Sequence, residues 1–160
     1  FARQGLDVDI KFFEAAQPVA VAVVSGDADF GITGLTGGFY NLAAKGALKI
    51  IASQSREEPG FDFVAYVVSD KAWDAGFRSV AQFPGHVVGI TQIGSTFHYN
   101  LGKLAEKRGF KLDELALKPL QSIPNVVAAL KGNQVDAALL PTNIALGLEQ
   151  AKAGHVIGHV

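Results

Sequence analysis

His86-Val87-Val88-Gly89-Ile90-Thr91-Gln92-Ile93-Gly94-Ser95-Thr96-Phe97-His98 is the stretch on which the fold turns. Residues 86–91 form a short apolar run of the length of one buried strand. A polar turn containing Gly94 follows, and Ser95 or Thr96 then opens a helical run to Arg108 that Gly109 stops. The same unit repeats downstream. The pattern predicts a strand over Ala116–Leu120, a helix over Pro124–Lys131, a strand over Val135–Leu140, a helix over Thr142–Ala153 ended by Gly154, and a strand over Val156–Val160. Strands alternating with helices imply an α/β fold, a mainly parallel sheet and right-handed crossovers.

Working back towards Phe1, the alternation is repeated with shorter elements. Leu6–Phe13 interleaves Leu, Val, Ile and Phe with Asp and Lys, the period of a half-buried strand. Pro18 suits the first turn of a helix ending at Ser25-Gly26, and Ala28–Thr33 reads as a buried strand. A glycine-rich turn, Gly31 to Gly38, leads into a helix over Phe39–Lys45 capped by Gly46, and Ala47–Ser53 reads as a third strand. Gln54–Asp62 is polar and contains Pro59-Gly60; Phe63–Ser69 is a further strand. Residues 70–84 carry little periodicity, which puts a lobe boundary there: 1–84 for one lobe and 85–160 for the other.

An internal echo supports two lobes built alike. Val23-Val24-Ser-Gly-Asp-Ala-Asp29 and Ala129-Leu130-Lys-Gly-Asn-Gln-Val-Asp136 both run from helix through glycine and aspartate into an apolar strand. Each glycine is expected to end its helix in the left-handed conformation, and each aspartate to hydrogen-bond its own turn, which leaves neither for chemistry.

Composition removes several function classes. The 160 residues are 49% hydrophobic and 18% charged with a net charge of −1, so there is no basic surplus for a phosphate backbone and nucleic acid is not an expected partner. Without cysteine there is no disulfide, thiol nucleophile or thiolate zinc site. The longest apolar stretch, around Val19–Val24, falls far short of the ~20 residues of a membrane span. The chain opens at Phe1 and has no methionine, so it reads as a fragment whose start and any signal peptide lie upstream.

Two turns are candidates for holding a ligand. Gly31 to Gly38 has the spacing G-x-x-G-x-x-G-G, neither a dinucleotide fingerprint nor a P-loop, yet it offers backbone amides at a helix start beside Thr33 and Thr36. Residues 91–97 offer the same arrangement with Ser95 and Thr96. Such a pair of turns suits a carboxylate, sulfonate or carbonyl, with at most one cation, Arg56, reaching in. Phe39, Tyr40, Phe97 and Tyr99 stand beside the turns as candidates for stacking.

Catalysis has less support. Ser95 lacks the G-x-S-x-G elbow, and His98 lies three residues along the same helix, badly placed as its base. His155 and His159 share a face but have no acidic neighbour in sequence, so no metal and no cofactor is expected.

Ser-Gly-Asp-Ala-Asp-Phe-Gly-Ile (25–32), Gly-Ile-Thr-Gln-Ile-Gly-Ser-Thr-Phe (89–97) and Val-Asp-Ala-Ala-Leu-Leu-Pro (135–141), in this order, resemble the solute-binding proteins of ABC importers, of the nitrate/sulfonate/taurine or NMT1/THI5-like group. The resemblance covers nearly the whole chain. It implies a type II periplasmic-binding-protein fold of two α/β lobes, here without the first strand and the C-terminal return. By resemblance, ligand contacts come from Gly34, Leu35 and Thr36, from Gln54 and Ser55, from Gln92 and Gly94, Ser95, Thr96 and Phe97, and from Pro141, Thr142 and Asn143. Leu139-Leu140 stand where many relatives have Trp and an acidic residue, so no particular ligand is implied.

The implied protein is not an enzyme. It is periplasmic or extracytoplasmic, takes a small polar or anionic molecule in the cleft between its lobes, and hands it to an ABC permease. The alternatives are a ligand-sensing domain of a transcription regulator and a thiamine-precursor (THI5-like) enzyme.

Overall fold

The computed structural model describes residues 1–58 and 60–160, so Pro59 of the expected Pro59-Gly60 turn lies outside the described residues. The first two helices are α1 (Ala16–Ser25) and α2 (Gly37–Ala44). A five-stranded sheet follows, made of β1 (Val64–Val68), β2 (Val87–Ile90), β3 (Ala116–Pro119), β4 (Ala137–Pro141) and β5 (His155–His159). Between the strands lie α3 (Asp70–Asp74), α4 (Thr96–Arg108), α5 (Ile123–Lys131) and α6 (Thr142–Gln150).

The strand order is β3-β2-β4-β1-β5. β2 is parallel to β3 and β4, while β1 is antiparallel to both β4 and β5. The sheet is therefore mixed where a mainly parallel one was expected, because β1 alone runs against the other four. Its reversed direction has a consequence for the site: the start of β1 lies at the edge where β2, β3, β4 and β5 end. Val64 pairs with Pro141, and the Val160 amide donates to Val64 O at 3.1 Å.

Alternating side chains fill two layers. Val64, Tyr66, Val68, Val88, Ile90, Ala137 and Leu139 face α3 and α4, meeting Ala72, Phe77, Phe83, Leu101 and Leu104. Ala65, Val67, Ala138 and Leu140 face α5 and α6, meeting Val126, Ala129, Leu130, Ala145 and Leu148. Covered on both faces, β1 is buried throughout, which is why its sequence is an unbroken apolar run.

The expected boundary at 84/85 falls inside this three-layer body. Val64–Val68, assigned by the sequence to the first lobe, is next to the middle strand of the sheet formed by the second. Residues 70–84 lack periodicity because they hold a five-residue helix and a 3-10 turn at Val80–Gln82, and they bury Ala72, Phe77 and Phe83 rather than acting as a linker.

Upstream, α1 and α2 pack together, and Ala20, Ala22 and Phe39 are their buried apolar residues. The segment between them lies along α1: a β-carbon on Gly31 would stand 2.8 Å from Val19 Cγ1, and Thr33 Oγ1 donates to Ala16 O at 3.0 Å. The strands expected at Leu6–Phe13, Ala28–Thr33 and Ala47–Ser53 are not formed. Period-2 patterning marks a face to be covered, whereas a strand also needs a ladder partner, and these runs find none among the described residues. Their apolar side chains stay in water, Phe12 at 91% and Phe30 at 76% exposed.

Of the paired glycines, Gly26 takes the expected left-handed conformation (φ 84°), but Gly132 does not (φ −81°). Asn133 takes it instead at φ 53°, a residue that tolerates this region, and its Oδ1 accepts from Lys71 N.

Candidate functional site

Parallel strands end at one edge of the sheet, and ligands of open α/β sheets bind at that edge. Here three helices start from it, each after a strand: α4 after β2, α5 after β3 and α6 after β4. Ser95 is the N-cap of α4, buried to 2% exposure, with Oγ accepting from His98 N at 3.3 Å. Gly94 is at φ 81°, and its amide donates to His98 Nδ1 at 2.9 Å, so His98 braces the turn instead of acting as a base for Ser95. Thr96 follows at the first helical position, where its amide has no intrahelical acceptor, and its Oγ1 is buried without a hydrogen-bond partner.

The start of α6 is built differently. Its N-cap is Pro141, which provides no side-chain cap, and Thr142 Oγ1 is the second buried hydroxyl oxygen without a partner. Thr142 N donates to Phe63 O at 2.9 Å, tying α6 to the entry of β1. Glu57 Oε1 holds that entry from the other side, accepting from Phe63 N and Val64 N at 3.0 and 2.8 Å. Asn143 is exposed, and Phe97 packs down onto the core beneath α4.

From the upstream part, the turn before α2 reaches α4. Gly34 lies directly against Thr96, with a β-carbon position 2.5 Å from Thr96 Oγ1. Tyr40 on α2 meets Tyr99 on α4 with ring centroids 5.6 Å apart. Partial burial, and then the neighbouring Tyr99, hold the Tyr40 phenol above its ordinary value. The turn and the helix start that the sequence marked out are thus brought together, with no ligand-sized gap at Gly34–Thr96 itself.

The expected polar groups divide sharply. Thr36 is fully buried, accepts from Phe39 N at 2.9 Å as the N-cap of α2, and donates to Gln17 Oε1 at 3.0 Å, so its hydroxyl is spent within its own side of the seam. Leu35, Gln54 and Ser55 are exposed, the last two in irregular chain. Arg56 pairs with Glu58 on the surface. Gln92 is half-buried and borders an open groove of about 380 Å³ with Phe13, Gln17 and Val21. A larger groove, about 800 Å³, touches this region at Gly37, Gly94, His98 and Tyr99 and then follows the flank of α4 to Asp113. It is a surface feature of α4 more than part of the edge site.

Two residues at the site escaped the sequence. Gln17 supports Thr36 from α1, and only its position ahead of Pro18 hinted at a helix start. Gln121 sits at φ 73° with its amide donating to Thr91 O at 2.8 Å, which sets the β3–α5 turn beside the β2–α4 turn. A glutamine in the left-handed region has no sequence signal.

The remaining titratable residues serve the framework. Asp136, expected to bond its own turn, reaches the next strand instead: Oδ2 accepts from Val87 N at 2.9 Å and lies 3.1 Å from His86 Nδ1. On the upstream side Asp27, not Asp29, takes a local bond, from Ser25 Oγ at 2.7 Å. His155 and His159 do have acidic neighbours in space, Asp70 at 2.9 Å and Asp62 at 4.0 Å. Among the described residues no three His, Asp or Glu side chains gather to hold a metal ion, and no helix is long and apolar enough to cross a membrane.

Solved structures share this architecture. A protein of Bordetella bronchiseptica RB50 matches with a TM-score of 0.72 at 23% identity, over 99% of this chain and 48% of that one. The alkanesulfonate-binding protein SsuA of Xanthomonas axonopodis pv. citri, bound to MOPS, matches at 0.68 and 22%, over 92% and 48%. Holo ArgBP of T. maritima matches at 0.67 and 18%, over 99% and 63%. The fold is the α/β fold of type II periplasmic binding proteins. The family model described as NMT1/THI5 like matches residues 1–156, and the chain belongs to that family. A Brucella abortus (strain 2308) protein named "Putative binding protein" is 30% identical over 136 residues, which is 85% of this chain and 39% of that protein. The chain thus spans about two fifths of that relative's length.

Proposed function

We propose that the chain belongs to an extracytoplasmic solute-binding protein that captures a small polar or anionic molecule and presents it to an ABC permease. Residues 1–63 line one side of the cleft and 64–160 the other. The observation that carries this reading is the meeting of the Gly34–Thr36 turn with the carboxyl edge of the sheet, where Thr96 and Thr142 hold buried hydroxyl oxygens without partners. Unpaired hydroxyls at two helix starts favour an acceptor-rich group such as a sulfonate or carboxylate. The entry of the chain into the sheet domain, at Val64, lies at this edge, which suits a strand that crosses between lobes and lets them close on a ligand.

Binding without turnover fits the histidines. His98 braces Gly94, while His86, His155 and His159 each sit beside an aspartate. The deciding experiment screens the full-length protein by thermal shift and calorimetry against small sulfonates, carboxylates and amino acids, with each mixture checked for product. A ligand at 100 times its Kd should stabilise by about 2.7 kcal/mol and be recovered intact. Catalytic conversion of a compound would favour the THI5-like enzyme instead, and no response from any member of the panel would refute the ligand class.

A further inference from the structure

Gly34 has no backbone reason to be glycine, because it is not among the residues with positive φ. It has a spatial one. A β-carbon there would stand 2.5 Å from Thr96 Oγ1 and 3.4 Å from Thr96 Cβ and Cγ2, and the first of these distances is closer than side chains pack. Thr96 Oγ1 is meanwhile buried and unpaired, so the contact that covers it is held at the cost of an unsatisfied hydroxyl. The neighbouring Gly37 differs: a β-carbon on it would meet nothing within 4 Å.

We propose that Gly34 and Thr96 form the closing contact of the seam between residues 1–63 and the sheet domain, with the missing side chain at 34 setting how far the seam shuts. The contact is poised. The ring contact of Tyr40 with Tyr99 holds the seam together, while the covered hydroxyl of Thr96 favours opening it to water or to an acceptor. Among Thr33, Thr36, Ser95 and Thr96, only Thr96 acts in this way, because Thr33 donates to Ala16 O, Thr36 accepts and donates within its own side, and Ser95 caps α4. The inference goes beyond ligand binding and requires none, so it stands or falls separately from the proposed function.

The test uses the full-length, ligand-free protein and four variants: Gly34→Ala, Thr96→Ala, the double variant, and Gly37→Ala. Replacing glycine by alanine at an ordinary φ with open space raises Tm, through the entropy of the unfolded chain. Gly37→Ala should do so. Gly34→Ala should do the opposite, lowering Tm by roughly 2–4 °C because the methyl group drives the seam apart. The double variant should return to within about 1 °C of Thr96→Ala, since the obstructing oxygen is gone. Amide exchange over residues 36–44 and 95–99 should quicken in Gly34→Ala and recover in the double variant. A rise in Tm for Gly34→Ala, additivity in the double variant, or unchanged exchange on the α4 side would each overturn the proposal.

Discussion

Tyr66 gives the sharpest check on the strand that enters the sheet domain at the site. It lies in the middle of β1, paired with Leu139 on one side and Gly158 on the other, edge-to-face with Phe83 at 5.7 Å, and 3% exposed. Burial pushes its phenol from the ordinary value near 10 up to about 12; the charge of Glu57 adds to the shift and that of Arg108 partly offsets it. The folded protein therefore holds this proton more tightly than the unfolded chain does. The resulting stability is fully present below pH 10 and is lost as the pH climbs through 12. Two units at 1.36 kcal/mol each set the size of the effect at about 2.7 kcal/mol. Denaturant unfolding of the wild type and Tyr66→Phe should be compared between pH 9 and pH 12, which cancels the other titrating groups. The wild type should lose about 2.3 kcal/mol relative to Tyr66→Phe across that range, the folded phenol being half ionised at pH 12, while near-ultraviolet absorbance shows a late-ionising phenol that the variant lacks. Parallel stability curves for the two proteins would refute the argument.

Two further substitutions test the framework around the site. Asp136→Ala removes the acceptor for Val87 N and the partner of His86, and should cost about 1–2 kcal/mol in urea unfolding, the modest figure reflecting a side chain about one third in water. Asp136→Asn, which keeps an acceptor oxygen, should cost less, and equal losses would show that charge alone matters. Ser95→Ala should lower stability by about 1 kcal/mol through the lost cap of α4, whereas Thr96→Val should cost nothing, since its hydroxyl has no partner. A larger loss for Thr96→Val would mean that the hydroxyl is satisfied after all.

Elements that are stable by local rules and double-sided burial were legible in the chain. The apolar runs at 64–68, 87–90 and 137–140 became strands because helices cover both faces, and Ser95 capped α4 because its side chain needs only the next turn of backbone. The position of the turn at 91–97 was legible for the same reason, since strand, polar residues and helix cap follow one another along the chain; at Gly31–Gly38 only the helix cap Thr36 formed as expected. The rest was set by long-range pairing. Strand direction depends on which neighbour a strand meets, so the reversal of β1, and its place in the same sheet as β2–β5, has no local signal. Leu6–Phe13 and Ala28–Thr33 carry strand patterning yet form no strand, because a ladder is a property of two segments and patterning of only one. The fates of the hydroxyls follow the same rule. Thr36 and Thr96 look alike in sequence, but Gln17 arrives to satisfy the first and Gly34 to cover the second, contacts made across 19 and 62 residues of chain that no local pattern encodes.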